Sequence, residues 1–380
     1  MKHELSETMK GRRRLAHKIS LELLGPIVGK MPKSSIESLE KLSYQPNIKS
    51  HILEIIPFAD AQIVRHDVDA DFPPFFRREA VFGKRNLYLL QDAVVSPHSG
   101  MVWIENKILE ESVGSLRRIM DWGDMLHEPL LPVTELQLQE PVLVCHPAAG
   151  YYHWLMEVLP NLLLAISKFP ETKIVLPEHC PDYVTDGLSI VLGAEVAERF
   201  IFCSTPVRVQ TLVMPQYHNK PEFTCPQVMG LLRSAVKSKV IGEGSCGAVR
   251  SCGTRLYISR RRSRRRRLAG EEQLEARLRE MGFLILHLEE HSFQEQIRIF
   301  HEAETVVATH GAGLSNLVWS EAPCRVIEIF PKNYILDCFA WLSFSLGFDY
   351  RYVICSTGHK IDEDAMDAVL GLLKVGTEKY

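Results

Sequence analysis

From about residue 250 onward, apolar positions switch regularly between a period of two and a helical period. Leu256 to Ser259 reads as a strand, and Glu271 to Met281 as a helix with Leu274 and Leu278 facing inward. Gly282 ends that helix, and Phe283 to Leu288 reads as the next strand. Ser292-Phe293-Gln294-Glu295 has the form of a capping box, so a helix should start there with Phe293, Ile297 and Phe300 on one face. Thr305 to Thr309 is a strand, Leu314 to Ser320 a short helix, and Arg325 to Phe330 a strand closed by Pro331.

The middle of the chain follows the same alternation. Val142 to Cys145 reads as a strand, Tyr151 to Lys168 as mostly helix, and Thr172 to Leu176 as a strand. Asp182 to Leu192 is a helix, and two strands follow, from Arg199 to Cys203 and from Val207 to Met214. Residues 40 to 140 are strand-like without a clear order, and Asp362 to Lys374 reads as a terminal helix. Strands alternating with helices predict an α/β protein with doubly wound parallel sheets, whose ligands bind at the carboxyl ends of the strands. The expected organisation is an N-terminal domain over 1–220, with a helical segment over 1–40, and a connection over 221–252. A second domain over 253–355 follows, then a helix over 356–380 that could return to the first domain.

Composition narrows the class. The chain has 380 residues, enough for two domains, with 46% hydrophobic and 24% charged residues, as in soluble globular proteins. A net charge of -3 argues against a nucleic-acid protein as a whole. The nine cysteines form no CxxC pair, which points to neither a disulfide framework nor zinc and fits a reducing cytosol. No apolar run reaches the roughly 20 residues that span a bilayer. Residues 10–28 place Leu15, Ile19 and Leu23 beside the basic Lys10, Arg12, Arg13 and Arg14. This segment is either a helix packed on its own domain or a peripheral contact with an anionic membrane.

Two features point to a phosphate-bearing ligand. Thr309-His310-Gly311-Ala312-Gly313-Leu314-Ser315-Asn316 carries a strand through a loop of small residues into a helix. Small residues let backbone N–H groups approach a phosphate, and a helix N-terminus favours negative charge. Asn316 stands where a dinucleotide fingerprint needs its third glycine, which disfavours NAD or FAD. The strand ending at Ser259 runs into arginines at 260–262 and 264–267. Arg260 and Arg265 are best placed to hold a diphosphate, while the other arginines read as a solvated face. A nucleic-acid patch would need aromatic residues interleaved with them, and none are present.

Other candidates lie elsewhere. His153 and Glu157, four apart after Tyr151 and Tyr152, share a helix face; either Glu157 is a general base or it orients His153 as one. Glu328 sits in an apolar strand and needs a partner, either a sugar or ribose hydroxyl or an arginine such as Arg260. Asp67-Val68-Asp69-Ala70-Asp71 imitates a DxD metal motif but reads better as an acidic turn.

Between His146 and Pro331 these residues resemble glycosyltransferase family 61. The markers are Tyr151-Tyr152-His153-Trp154-Leu155 with Glu157 and Pro160, Tyr257-Ile258-Ser259-Arg260, Glu295-Gln296, His310-Gly311-Ala312-Gly313 with Asn316, and Glu328 with Pro331. Gly150, Asn161 and Gly270 depart from the residues usual there. The resemblance implies a GT-B fold, two Rossmann-like domains facing a cleft, and an inverting, metal-independent transfer from a nucleotide sugar such as a UDP-sugar. It assigns Ser259, Arg260, Arg265, His310, Gly311, Ala312, Gly313, Asn316 and Glu328 to the donor. Glu157 and His153 become catalytic, and His146 and Tyr152 face a glycan or glycolipid acceptor. No metal or other cofactor and no nucleic acid is expected, and the setting it implies is cytoplasmic assembly of a capsule or other surface polysaccharide. A non-catalytic nucleotide- or carbohydrate-binding protein of the same fold is the alternative, with a nucleic-acid binder using the arginine run behind it.

Overall fold

The computed structural model describes residues 35–67, 72–105, 107–113, 128–129, 131–146, 150–217, 226–236, 239–240, 255–263, 267–321 and 323–374. Two large sheets organise the chain, giving an α/β fold with one mixed and one parallel sheet. The parallel sheet has five strands in the order Leu284–Leu286, Arg255–Ile258, Thr305–Thr309, Arg325–Phe330 and Asp349–Ile354. Each of its first four strands was legible from the apolar runs, within two residues at either end. The strand Asp349–Ile354 was missed, because its burial alternates and its polar residues masked the run.

The helices between these strands form where their sequences dictate. Ser292 caps Phe293–His301 with a complete capping box: its side chain accepts from the Glu295 N–H while the Glu295 carboxylate accepts from the Ser292 N–H. Phe293, Ile297 and Phe300 are buried along that helix's inner face. Glu271–Glu280 starts from Gly270 at φ 84°, where a Cβ would stand 2.3 Å from the Ile361 carbonyl oxygen. Only glycine fits there, which accounts for one departure from the family pattern. The terminal helix Glu363–Lys374 buries Ala365, Met366, Val369 and Leu373 against this same sheet, rather than returning to the first half.

The other sheet differs from the doubly wound unit expected of the N-terminal half. It has ten strands, and its parallel part (Val142–Val144, Lys173–Pro177 and Phe200–Cys203) is continued by Val207–Pro215. There the long strand Arg85–Val95 pairs antiparallel, and Ile52–Ala59 pairs antiparallel with it in turn. Short connections over residues 52–109 explain this, since hairpins suffice for antiparallel neighbours whereas parallel ones need a crossover helix.

The helix Pro226–Val236, read from sequence as part of a connection, buries Met229, Leu232 and Val236 in the largest apolar core. That core joins both sheets: Trp154, Leu159 and Leu188 share it with Phe293, Ile297, Leu314 and Phe330. A hairpin of Gln62–Arg65 and Glu79–Phe82 also crosses over, burying Ala80 and Phe82 against Trp341. Beside it Arg77 makes a two-pronged ion pair with the buried Asp337, at 3.0 and 3.1 Å. Among the described residues no helix is long and apolar enough to cross a membrane. Residues 10–28, Asp69 and Asp71 lie outside the described residues, so the membrane-contact and DxD readings cannot be placed in this fold.

Candidate active site

At the carboxyl ends of the parallel strands, Arg260 leaves the strand Arg255–Ile258 and His310 leaves Thr305–Thr309, two neighbouring strands paired in register. They converge as the sequence predicted. A Cβ built on Gly311 would lie 1.7 Å from Arg260 Nη1, so the guanidinium rests directly against the loop backbone. A side chain at 311 would have to displace the guanidinium. Arg260 is fixed from behind: its backbone N–H donates to Glu271 Oε1 at 2.6 Å, and Nη2 donates to Ser263 Oγ at 3.1 Å. Burial pushes the Glu271 carboxyl above its usual range, against the hydrogen bonds from Arg260 and Tyr257 that favour its ionised form. Ala312 and Gly313 open the short 3-10 helix Ala312–Trp319, and Gly313 lies close under Leu288 and Ile258.

His310 is almost wholly buried, its ring stacked on Phe330 and edge-on to Tyr334. Its Nδ1 meets Glu328 Oε1 at 2.5 Å, and the Tyr350 hydroxyl donates to Glu328 Oε2 at 2.5 Å. Glu328, 0% exposed, therefore has neither of the partners expected for it, a sugar hydroxyl or Arg260. The strand alternation carries it to the core face of the sheet beside His310, out of reach of the solvent. Tyr350 could not be foreseen, because it comes from the strand the sequence reading missed.

Two more residues assigned to the donor are used inside the protein. Ser259 is buried and its hydroxyl donates to Glu275 at 2.7 Å, on the opposite face of the sheet from Arg260. Asn316 is fully buried and saturated. Its Oδ1 accepts from Tyr151 and Trp319, at 2.7 and 3.2 Å, and its Nδ2 donates to Gln296 and Gly313, at 2.9 and 3.2 Å. Asn316 thus ties the first half, through Tyr151, to the second, through Gln296. Asn316→Ala would strip a partner from each of these four groups, so we expect a loss of about 3–5 kcal/mol in a denaturant titration. A loss under about 1 kcal/mol would mean that this junction is not a stabilising one. Arg265 lies outside the described residues.

Across that junction stands the helix beginning at Tyr151. It opens as Tyr151–His153, widens to a π turn over Trp154–Val158 and resumes as Leu159–Lys168. Pro160 has no N–H to give to the preceding turn, which favours the wider spacing there. Asn161 compensates: its amide donates to the Glu157 carbonyl at 2.8 Å and accepts from Arg85 at 3.3 Å. His153 and Glu157 form the expected pair, Nδ1 to Oε1 at 2.6 Å, with side chains 29% and 10% exposed. Carboxylate pairing at Nδ1 places the donor proton there and makes Nε2 the proton-accepting atom.

Aromatic contacts join the two pairs. Tyr152 lies edge-on to His153 and to Phe339, at 5.2 and 5.5 Å, and Phe339 lies 5.3 Å from His310. His146 is placed elsewhere: it is buried, hydrogen-bonds the Tyr217 hydroxyl at 3.1 Å, and lines a small cavity under Gly100 and Val144. Two of the described arginines after Arg260 are engaged by glutamates of this chain: Arg261 pairs with Glu275 and Glu272, and Arg262 with Glu290.

An arginine resting on a glycine loop at the ends of parallel strands is a seat that suits an anionic ligand. The particular family follows from comparison. Residues 151–327 match the family described as Glycosyltransferase 61, and the chain contains a domain of that family. That classification supports glycosyl-transfer activity. No curated protein matches the chain.

Proposed function

We propose that the protein is an inverting, metal-independent glycosyltransferase that moves a sugar from a nucleoside-diphosphate sugar to a hydroxyl of a glycan or lipid-linked acceptor. The observation that carries this reading is the seat of the Arg260 guanidinium on Gly311, beside His310 and at one junction with the His153–Glu157 pair. The mixed-sheet part within 1–220 and the parallel-sheet unit over 253–355 then enclose a GT-B-like cleft, with the donor on the second and the acceptor on the first. Arg260, Arg265, His310 and the N–H groups of Gly311, Ala312 and Gly313 hold the diphosphate. Tyr152 borders the acceptor side.

In the reaction His153 Nε2 takes the proton of the acceptor hydroxyl, while Glu157 orients the ring and stabilises the imidazolium that forms. The hydroxyl oxygen attacks the anomeric carbon in line, and the bond to the diphosphate oxygen breaks with inversion. Arg260 and the loop amides neutralise the charge that gathers on the leaving group. UDP-sugars are the first donors to try, and assembly of a capsule or other surface polysaccharide at the cytoplasmic side of a membrane is the setting that the resemblance suggests.

The test is transfer from a panel of nucleotide sugars to a glycan panel, with and without EDTA. We expect turnover with one donor class, fully retained in EDTA and giving an anomer opposite to the donor's. Binding of a nucleotide sugar without transfer or hydrolysis would favour a non-catalytic binding protein. Loss of turnover in EDTA would overturn the metal-free reading.

A further inference from the structure

Glu328 presents an energetic problem that donor binding does not solve. It is a carboxylate at 0% exposure in the core face of a sheet, and unpaired burial of such a group costs several kcal/mol. Its neighbours solve it: Tyr350 donates to one oxygen and His310 Nδ1 meets the other. The three residues come from neighbouring strands and share one face diagonally: Glu328 pairs with Ala308 on one side and Tyr352 on the other, and His310 and Tyr350 each lie two residues from those partners. They form a line, Tyr350 to Glu328 to His310.

The line ends at the Nε2 edge of His310, which is not one of the fully buried polar atoms left without a partner. No described residue hydrogen-bonds His310 Nε2, although the residue is only 5% exposed. Phe330, Tyr334 and Phe339 enclose the ring, with centroids each 5.3 Å away, so the ring cannot swing to find a partner of its own. A polar atom held this way at the end of a parallel strand, next to Arg260 over Gly311, is built to meet a ligand. Tyr350 is itself held. Its ring packs against Phe76 at 5.9 Å, Phe344 at 5.6 Å and Phe72 at 6.3 Å, and two of these rings come from the segment anchored by Arg77 and Asp337. Burial and the neighbouring Glu328 push the Tyr350 phenol well above its usual range, so it remains a hydrogen-bond donor at all working pH values.

We propose that Tyr350 and Glu328 are positioning residues that fix the tautomer and orientation of His310, whose Nε2 contacts the departing diphosphate of the donor. Glu328 is then an orienter held from behind by Tyr350, and His310 is the group that touches the substrate. This inference rests on the glycosyl-transfer reading for the identity of the ligand, but the geometry of the line does not depend on it.

Two measurements on the full chain test it. In the first, histidine side-chain nitrogen resonances are followed as inorganic pyrophosphate is added. His310 should show a protonated Nδ1 and an Nε2 resonance that moves on titration, and Tyr350→Phe should lose or weaken that response while the protein stays folded at a lowered Tm. Phenylalanine keeps the ring in the Phe72, Phe76 and Phe344 cluster, so the fold is expected to survive. In the second, Tyr350→Phe lowers kcat about tenfold with KM for the acceptor unchanged, the size of one hydrogen bond to a charged group. An Nε2 resonance indifferent to pyrophosphate in the unaltered protein overturns the contact. A response and a kcat identical in Tyr350→Phe overturn the positioning role. If the pyrophosphate response holds while no nucleotide sugar is turned over, the transferase reading has failed and the anion site stands.

Discussion

We expect Arg260→Ala to lower kcat by about a hundredfold or more and to leave the protein folded. The size follows from what the guanidinium does: removing one preorganised donor aimed at developing charge typically costs about 2.7–4 kcal/mol of barrier. The survival of the fold follows from what anchors the position, because the hydrogen bond to Glu271 is made by the Arg260 backbone and outlives the side chain. Gly311→Ala should reproduce much of the loss from the other direction, since its Cβ would occupy the place of Nη1. Steady-state kinetics with the cognate donor, beside thermal unfolding, check both variants. Near-normal turnover in Arg260→Ala would sink the assignment of the donor site.

His153→Gln should cost about a hundredfold to ten-thousandfold in kcat, the usual range for loss of a general base. Glu157 is the less suitable base because its Oε1 is engaged by His153 Nδ1 at 2.6 Å and its side chain is only 10% exposed. The two roles separate cleanly in the kinetics. If His153→Gln keeps kcat within about tenfold while Glu157→Gln abolishes turnover, Glu157 is the base and His153 its partner.

Much of this was legible in the chain. Capping chemistry fixed the start of Phe293–His301, and β-branched runs gave Thr305–Thr309 and Arg325–Phe330 to the residue. The convergence of Arg260 with the His310 loop followed from two neighbouring strand ends, and the His153–Glu157 pair from a spacing of four. Sequence spacing says which residues share a face but not which atoms are already engaged. For that reason Ser259 and Asn316 read as ligand-binding until their hydrogen bonds to Glu275, Gln296 and Tyr151 were seen. Glu328 was rightly marked as needing a partner, but that partner, Tyr350, lay in an alternating strand that composition disguised. The antiparallel strands of residues 52–109 were hidden for a similar reason: their register is set by pairing with Arg85–Val95, a relation between distant segments that no local pattern contains.

The shared core has a consequence for turnover. Trp154 of the first half and Phe293 of the second lie 5.6 Å apart, and a Cβ on Gly187 would meet the Trp154 ring at 2.3 Å. Swinging the halves apart as rigid bodies would wet these surfaces at about 25 cal/mol for each Å² of apolar area exposed. A hinge of that kind therefore works against the apolar packing that joins the two sheets.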